Sequence, residues 1–501
     1  MRRRDFLKTM GIGAAAAGVQ VAAGAAERQP NVVLVMTDDQ GYGDLGCHGN
    51  PVIKTPNLDA LHAESVRMTS FQVCPTCSPT RAALMTGHYS LRAGIWHTIM
   101  GRSIMRPDEV TMGDVFSANG YRTGIFGKWH LGDNYPYRPQ DRGFQEVVIH
   151  GGGGVGQTPD YWGNDYFDDT YFDNGVPKQY EGYCTDVWFD EALGFIRKHQ
   201  DRPFFAYIST NAPHSPYHVA DKYSAQYKGK NGVVNADFYG MITNIDENMG
   251  RLMDTLRELG LEENTILVFM TDNGSAAGAR RAKDQTVKAG YNAGMRRMKG
   301  SPYEGGHRVP CFIRWPARGI EGGRDVNRIS AHFDLLPTLI GLCGIEPPED
   351  VTFDGRDLTP LLEDSDAAWP DRTIFVDTQR IEQPEKWRNS AAMTDRWRLI
   401  NGRLLFDIEA DPGQTKDVAD KHPEIVARLR KDYDAWWADI SQGFDEYSRL
   451  VLGAAGAVLL FHQDIGAAIA SFGGGGGGGG NVAPTGGLGL LAPLGRRLRG
   501  E

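Results

Sequence analysis

Cysteine is scarce in this chain. Six in 501 residues (Cys47, Cys74, Cys77, Cys184, Cys311 and Cys343) are too few for a disulfide-dense scaffold, and at most one bridge is expected. Positive charge is also in deficit: 53 Lys and Arg stand against 63 Asp and Glu, a net −10. That balance argues against nucleic acid as a partner held by bulk electrostatics, so an anionic ligand must be met by a local cluster. A clean apolar run long enough to span a membrane is missing too. The stretch from Gly453 to Phe472 is interrupted by His462, Gln463 and Asp464, and no stable membrane insertion is expected. What is present, 41% hydrophobic and 23% charged residues, is the composition of a globular chain with a large core.

The N-terminus, MRRRDFLKTMGIGAAAAGVQVAAGAAERQP, has a basic start and then a weakly apolar Ala/Gly stretch. Arg3 and Arg4 followed by Asp5, Phe6, Leu7 and Lys8 resemble a twin-arginine export signal, which carries folded proteins across the inner membrane. Residues 1–26 are therefore expected to be removed, leaving a periplasmic or extracellular protein. At the other end, residues 450–501 include eight consecutive glycines and are expected to be a low-complexity tail outside any packed core.

Between these ends the pattern alternates. NVVLVMTDD from Asn31, GYRTGIFGKWH from Gly120, PFFAYISTNAPH from Pro203 and NTILVFMTDNG from Asn264 each run through apolar residues into a polar, turn-forming end. Helical periodicity separates them, as over residues 238–259, where Met241, Ile245, Met249, Leu252, Met253 and Leu256 share a face. The expected fold is α/β, a large, mostly parallel central sheet flanked by helices over residues 27–365. Short strands and an amphipathic closing helix then suggest a small α+β subdomain over 366–449.

Ligands of parallel sheets gather outside the carboxyl ends of the strands. Asp38, Asp39, Lys128, His130, His214, Asp272 and Asn273 all fall at or just after such ends, so one crevice can collect them. Taken singly, each is as well explained by a turn, a cap or a satisfied core histidine. Asp38, Asp39, Asp272 and Asn273 offer only oxygen, which suits Ca²⁺ or Mg²⁺ better than zinc. Arg81, Lys128 and Lys299 supply fixed positive charge for a sulfuryl or phosphoryl group, and His130 and His214 can move protons. The nucleophile is less obvious. In CPTCSPTRAALMTGH, from Cys74, the two cysteines have the spacing of a redox pair, but nothing nearby resembles a thioredoxin-like unit. Cys77 precedes a helical pattern over 79–85, an anion-binding place, although a thiolate is a poor partner for an all-oxygen metal site.

The run Cys77-Ser78-Pro79-Thr80-Arg81 matches the C-x-P-x-R signature of the type I sulfatases, in which the cysteine becomes Cα-formylglycine. Cys74 lacks the proline at that spacing. TDDQGYGDLGCHGN, TGHYSLRAG, GKWHLG, NAPHSPY, TDNG, MKGSPYEGGHRVP, DLLPTL and DGRDLTPLL extend the resemblance from Asn31 to about Ile440. The chain thus resembles arylsulfatase A-like enzymes of the alkaline phosphatase superfamily. The resemblance implies one Ca²⁺ held by Asp38, Asp39, Asp272 and Asn273 beside the modified Cys77, and a formylglycine-generating maturation enzyme as partner. It implies that Arg81 and Lys128 orient the formylglycine hydrate, that Lys299 and His214 meet the sulfate and leaving oxygen, and that His130 takes a proton from the hydrate. One hydrate hydroxyl would attack sulfur, the alcohol would depart, and sulfate would leave as the aldehyde reforms.

A serine that some members carry mid-domain has no counterpart in VVIHGGGGVGQTPDYW, and this Gly-rich loop is expected to shape the substrate mouth. The implied substrate is an aryl sulfate or a sulfated small molecule or polysaccharide, with Trp96, Tyr161, Trp162 and Tyr166 read either as a sugar platform or as core aromatics. Two other functions fit the same residues: hydrolysis of phosphate mono- or diesters, and sulfate binding without turnover at an unmodified Cys77.

Overall fold

A computed structural model describes residues 28–99, 103–446, 448, 450–452 and 459–461. The expected export signal lies outside the described residues, as does most of the expected tail. Within the tail, Leu450–Leu452 and Leu459–Phe461 pair antiparallel.

The four strands expected from sequence are neighbours in one ten-stranded sheet. Thr265–Thr271, Asn31–Thr37, Phe204–Ser209, Arg122–Lys128 and Glu146–His150 run parallel in that spatial order. Cys311–Arg314 flanks them antiparallel on one side and the Thr170–Asp173 strand on the other. Both faces of the central strands are covered, which is why Asn31–Thr37, Phe204–Ser209 and Thr265–Thr271 are buried along their whole length. Val32, Leu34 and Met36 enter one core with Tyr207 and Val268, whereas Val33 and Val35 enter another with Ile208 and Phe269. The 23-residue helix Ala236–Glu258 lays Met241, Ile245, Met249 and Leu252 on the second face. Its N-terminus is fixed by Asn235, whose side chain accepts from the Asp237 and Phe238 N–H groups.

The C-terminal region is a four-stranded antiparallel meander, Ile374–Asp377, Ser390–Met393, Trp397–Ile400 and Leu404–Asp407, covered by the helix Pro423–Ile440. Phe375, Leu399 and Leu405 face that helix through Leu429, Tyr433 and Trp436. Ile374, Val376 and Phe406 face the body that carries the large sheet through Ala83, Tyr303 and Phe333. A fully buried ion pair, Arg398 Nε to Glu304 Oε1 at 2.6 Å, crosses the same junction. Among the described residues, no helix is long and apolar enough to cross a membrane.

Candidate active site

The carboxyl ends of the parallel strands converge, and strand register explains which side chains meet. Asn31–Thr37 ends immediately before Asp38 and Asp39, Thr265–Thr271 before Asp272 and Asn273, and Arg122–Lys128 on Lys128 itself. Because Thr37 pairs with Thr271, the two acidic pairs emerge side by side, and the Asp39 N–H donates to Asp272 Oδ1 at 3.0 Å. Asp39 holds a left-handed φ of 68° and His130 one of 59°, uncommon for residues with a Cβ and here located where the chain turns into the crevice. Gly127 permits the close approach of the neighbouring strand: a Cβ there would lie 1.9 Å from the Ser209 carbonyl oxygen.

Cys77 is the first residue of the buried helix Cys77–Thr86, so its side chain sits at the helix N-terminus. All six cysteines are free. Cys74 turns away, 3.7 Å from Ser90 Oγ and 3.6 Å from His332 Nε2, and burial pushes its thiol up to about 12. The redox-pair reading therefore has no support in the structure. Cys77 Sγ instead faces His130 Nδ1 at 3.5 Å. The other nitrogen of His130 lies 2.9 Å from the Thr98 carbonyl, which can only accept; Nε2 thus carries the proton and Nδ1 presents a lone pair to position 77. Burial, reinforced by Lys128, pushes the His130 pKa down to about 3, so the ring is neutral at ordinary pH.

Around this pair the charges are nearly balanced. Lys128 Nζ bonds Asp38 Oδ2 at 2.5 Å, Arg81 Nη2 bonds Asp272 Oδ2 at 2.9 Å, and Lys299 pairs with Asp39 Oδ1. Burial would raise the Asp38 carboxyl, but Lys128 and the more distant cations outweigh it and hold it well below the usual range. Asp272 goes the other way, raised by burial and by the negative Asp38 despite Arg81. Two carboxylates so placed favour an added cation. Asp38, Cys77 and Asp272 each offer an atom within 4.8 Å of the others. Asp38 Oδ1 and Asn273 Oδ1 are buried without a hydrogen-bond partner among the described residues. A hard divalent ion fits this donor set, since it would satisfy both orphaned oxygens and separate the two acids.

The crevice opens into a cavity of 630 Å³ lined by Cys77, His130, His214 and Lys299. The structure thus brings every sequence-predicted site residue to one crevice. Its wall also includes Gln157, from the Gly-rich loop expected there, and Thr98 and Arg380, which sequence reasoning missed. Thr98 acts through a main-chain carbonyl, which no residue pattern announces, and Arg380 comes from the C-terminal subdomain. The Gly-rich loop contributes Gly152 and Gly153 to the wall, as expected. Gly153 is required bare, because a Cβ there would lie 2.7 Å from His130 Cε1. The aromatics divide. Trp96 and Tyr166 are buried, and the Tyr166 hydroxyl donates to the His214 carbonyl at 2.9 Å, a strut and not a platform. Trp162 is 96% exposed and Tyr161 42%.

A crevice of buried acids, a cysteine at a helix N-terminus and flanking Lys and His, at the carboxyl edge of such a sheet, is the arrangement of a hydrolase of anionic esters. Comparison with known proteins supplies the particular family. Residues 30–345 match the sulfatase family and residues 297–436 match N-sulphoglucosamine sulphohydrolase, C-terminal. The chain belongs to the sulfatase family and is a sulfuric ester hydrolase of the alkaline phosphatase superfamily. It is 33% identical to arylsulfatase A of Homo sapiens over 455 residues, 84% of each chain. It is 31% identical to the ulvan-active sulfatase of Formosa agariphila over 440 residues, 81% of this chain and 80% of that one. Among solved structures, Ps i-CgsB in complex with k-i-k-neocarrahexaose superposes with a TM-score of 0.73 at 27% identity, covering 84% of this chain and 95% of the other.

Proposed function

We propose that this sulfatase is an exported, Ca²⁺-dependent enzyme whose Cys77 is converted to Cα-formylglycine by a maturation enzyme before twin-arginine export, and that it acts on sulfated carbohydrate. The observation that carries the reading is the placement of His130 Nδ1 against position 77, beside the Asp38–Asp272 acid pair. Asp38, Asp39, Asp272 and Asn273 would hold the Ca²⁺. The aldehyde hydrate at position 77 supplies an oxygen nucleophile at neutral pH, which a thiol beside a hard cation does not.

The chain's own residues do the rest. Arg81 and Lys128 fix positive charge under position 77 and offset the acids. His130 accepts a proton at Nδ1, and its Nε2–H stays on the Thr98 carbonyl throughout, so the ring does not rotate between steps. Lys299 and His214 line the cavity wall and meet the sulfuryl group, with Lys299 countering charge on the leaving oxygen. His214 Nδ1 donates to the Ser215 carbonyl at 2.7 Å, which aims Nε2 at the cavity side where Asp39 lies 3.8 Å away. Exposed Trp162 and Tyr161, next to the cavity-lining Thr158 and Pro159, offer a surface on which a sugar ring can stack.

The test is the mass of the tryptic peptide 68–81 from protein of the native source, with sulfate release measured on the same sample. A peptide whose CH₂SH has become an aldehyde or hydrate, with turnover of a sulfated sugar, supports the reading. An unmodified thiol with tight sulfate binding and no turnover supports the binding-protein alternative, and preferential phosphate release supports the phosphoesterase one.

A further inference from the structure

A second group of metal-ligating side chains lies outside the active-site crevice. Cys47 and His48 sit on the one-turn helix Gly46–His48, which Gly49 closes with a left-handed φ of 86°. His62 lies in the last turn of the helix Pro56–Glu64. Cys47 Sγ and one nitrogen from each histidine all lie within 4.8 Å of one another. None of the three lines the catalytic cavity; they border a separate pocket of 300 Å³, with Tyr42, Met68 and Phe312.

We propose that Cys47, His48 and His62 bind a single Zn²⁺ ion, with the fourth coordination position open to this pocket. The donor chemistry is the reverse of that at the catalytic crevice: one sulfur and two imidazoles, the set that zinc prefers and calcium does not. Zinc bonds of about 2.0–2.3 Å at tetrahedral angles require donors roughly 3.3–3.8 Å apart, so side-chain rotations of about 1 Å close the site. The surrounding contacts prepare it. His48 Nδ1 donates to the Tyr42 carbonyl at 2.8 Å, which leaves Nε2 as the ligating nitrogen, the arrangement that commonly orients metal-bound histidine. Tyr42 stacks on His48 with ring centroids 3.8 Å apart, and Phe312 meets His48 and His62 edge-on at 5.7 and 5.1 Å. Neither nitrogen of His62 has a hydrogen-bond partner among the described residues.

The charges nearby permit a cation. Asp59 accepts the Cys47 N–H at 2.8 Å and places a carboxylate beside the thiol. Arg67 is engaged by Asp325 at 2.6 Å, and Arg308 stacks over Tyr42 at 4.9 Å. On binding, the Cys47 thiol proton passes to solvent and the thiolate, the two neutral imidazoles and a water complete the shell. The ion would tie the loop that follows the first strand to the helix after it.

The probe is Co²⁺, then Zn²⁺, added to chelator-stripped full-length protein in excess Ca²⁺. A Cys77→Ala background removes the other thiol that could ligate. The expected result is one equivalent of Co²⁺ with a thiolate-to-cobalt charge-transfer band, displaced by Zn²⁺. Cys47→Ser should abolish the band, and His62→Gln should weaken binding at least tenfold. Failure to take up stoichiometric metal, or a band that survives Cys47→Ser, overturns the proposal. Alkylation of half-buried Cys47 in the otherwise unaltered protein gives an independent reading should that variant misfold: Zn²⁺ should protect the thiol, and equal labelling with and without metal overturns the site.

Discussion

His130 Nδ1 lies 3.5 Å from Cys77 Sγ while its Nε2 is held by the Thr98 carbonyl at 2.9 Å, so the ring presents its basic nitrogen to position 77 and cannot turn away without losing a partly buried hydrogen bond. Replacing His130 by Ala should lower kcat on an aryl sulfate by about 10²–10⁴-fold, the usual worth of a positioned base, with little change in KM. Steady-state kinetics checks this. A variant within a few-fold of the parent kcat would remove His130 from proton transfer.

Gly153 has no chemistry of its own, yet Gly153→Ala should damage catalysis. The added methyl group would lie 2.7 Å from His130 Cε1 and must displace either the ring or the loop. A shift of about 1 Å at the base is enough for a loss on the order of 10²-fold in kcat. The thermal midpoint should hardly move, because the loop lines a cavity. Full activity in the alanine variant would show that the loop yields freely and is not braced against His130.

The Arg398–Glu304 pair joins the C-terminal sheet to the body at essentially zero exposure. Burial raises Glu304 in principle, but Arg398 leads the cations that depress it to about 2. Arg398→Met should cost about 3–5 kcal/mol by stranding a buried carboxylate, whereas Arg398→Met with Glu304→Leu should recover most of that loss. Urea unfolding of the two variants decides. Equal destabilisation of both would point to packing, not charge, as the function of the pair.

His332 makes stability fall in acid. Burial pushes its pKa from 6.5 down to about 4, and its Nδ1 donates to the Gln72 carbonyl at 3.1 Å. Above pH 6.5 the ring is neutral in both states. Between 6.5 and about 4 the unfolded chain takes up a proton that the folded one refuses, so stability declines as pH falls, by about 1.4 kcal/mol per unit at most. Below about 4 the decline from this group stops. His332→Asn should flatten the melting temperature against pH over that window, and an unchanged slope would assign the acid limb to other groups.

Much of this protein can be read directly from its sequence. Apolar runs ending in Asp38-Asp39, Lys128 and Asp272-Asn273 announce parallel strands with chemistry at their carboxyl ends, because strands buried on both faces have little freedom in composition. The C-x-P-x-R run singles out Cys77 through its resemblance to the sulfatase signature, which Cys74 lacks. Other features depend on approach in space. Thr98 contributes a carbonyl and leaves no side-chain pattern, Arg380 arrives from the C-terminal subdomain, and Tyr166 stays open between platform and core aromatic until its hydroxyl is seen to hold the His214 main chain. Cys74 and Cys77 are three residues apart in sequence, yet the helix N-terminus aims one at His130 and leaves the other toward His332. The sequence determined which residue types the crevice could draw on and which strand ends would carry them, through local constraints on strands, turns and helix caps. Only tertiary packing decided the tautomer of His130, the pairing of each acid with its cation and the meeting of Cys47 with His62, because hydrogen-bond direction and desolvation are set by neighbours distant in the chain.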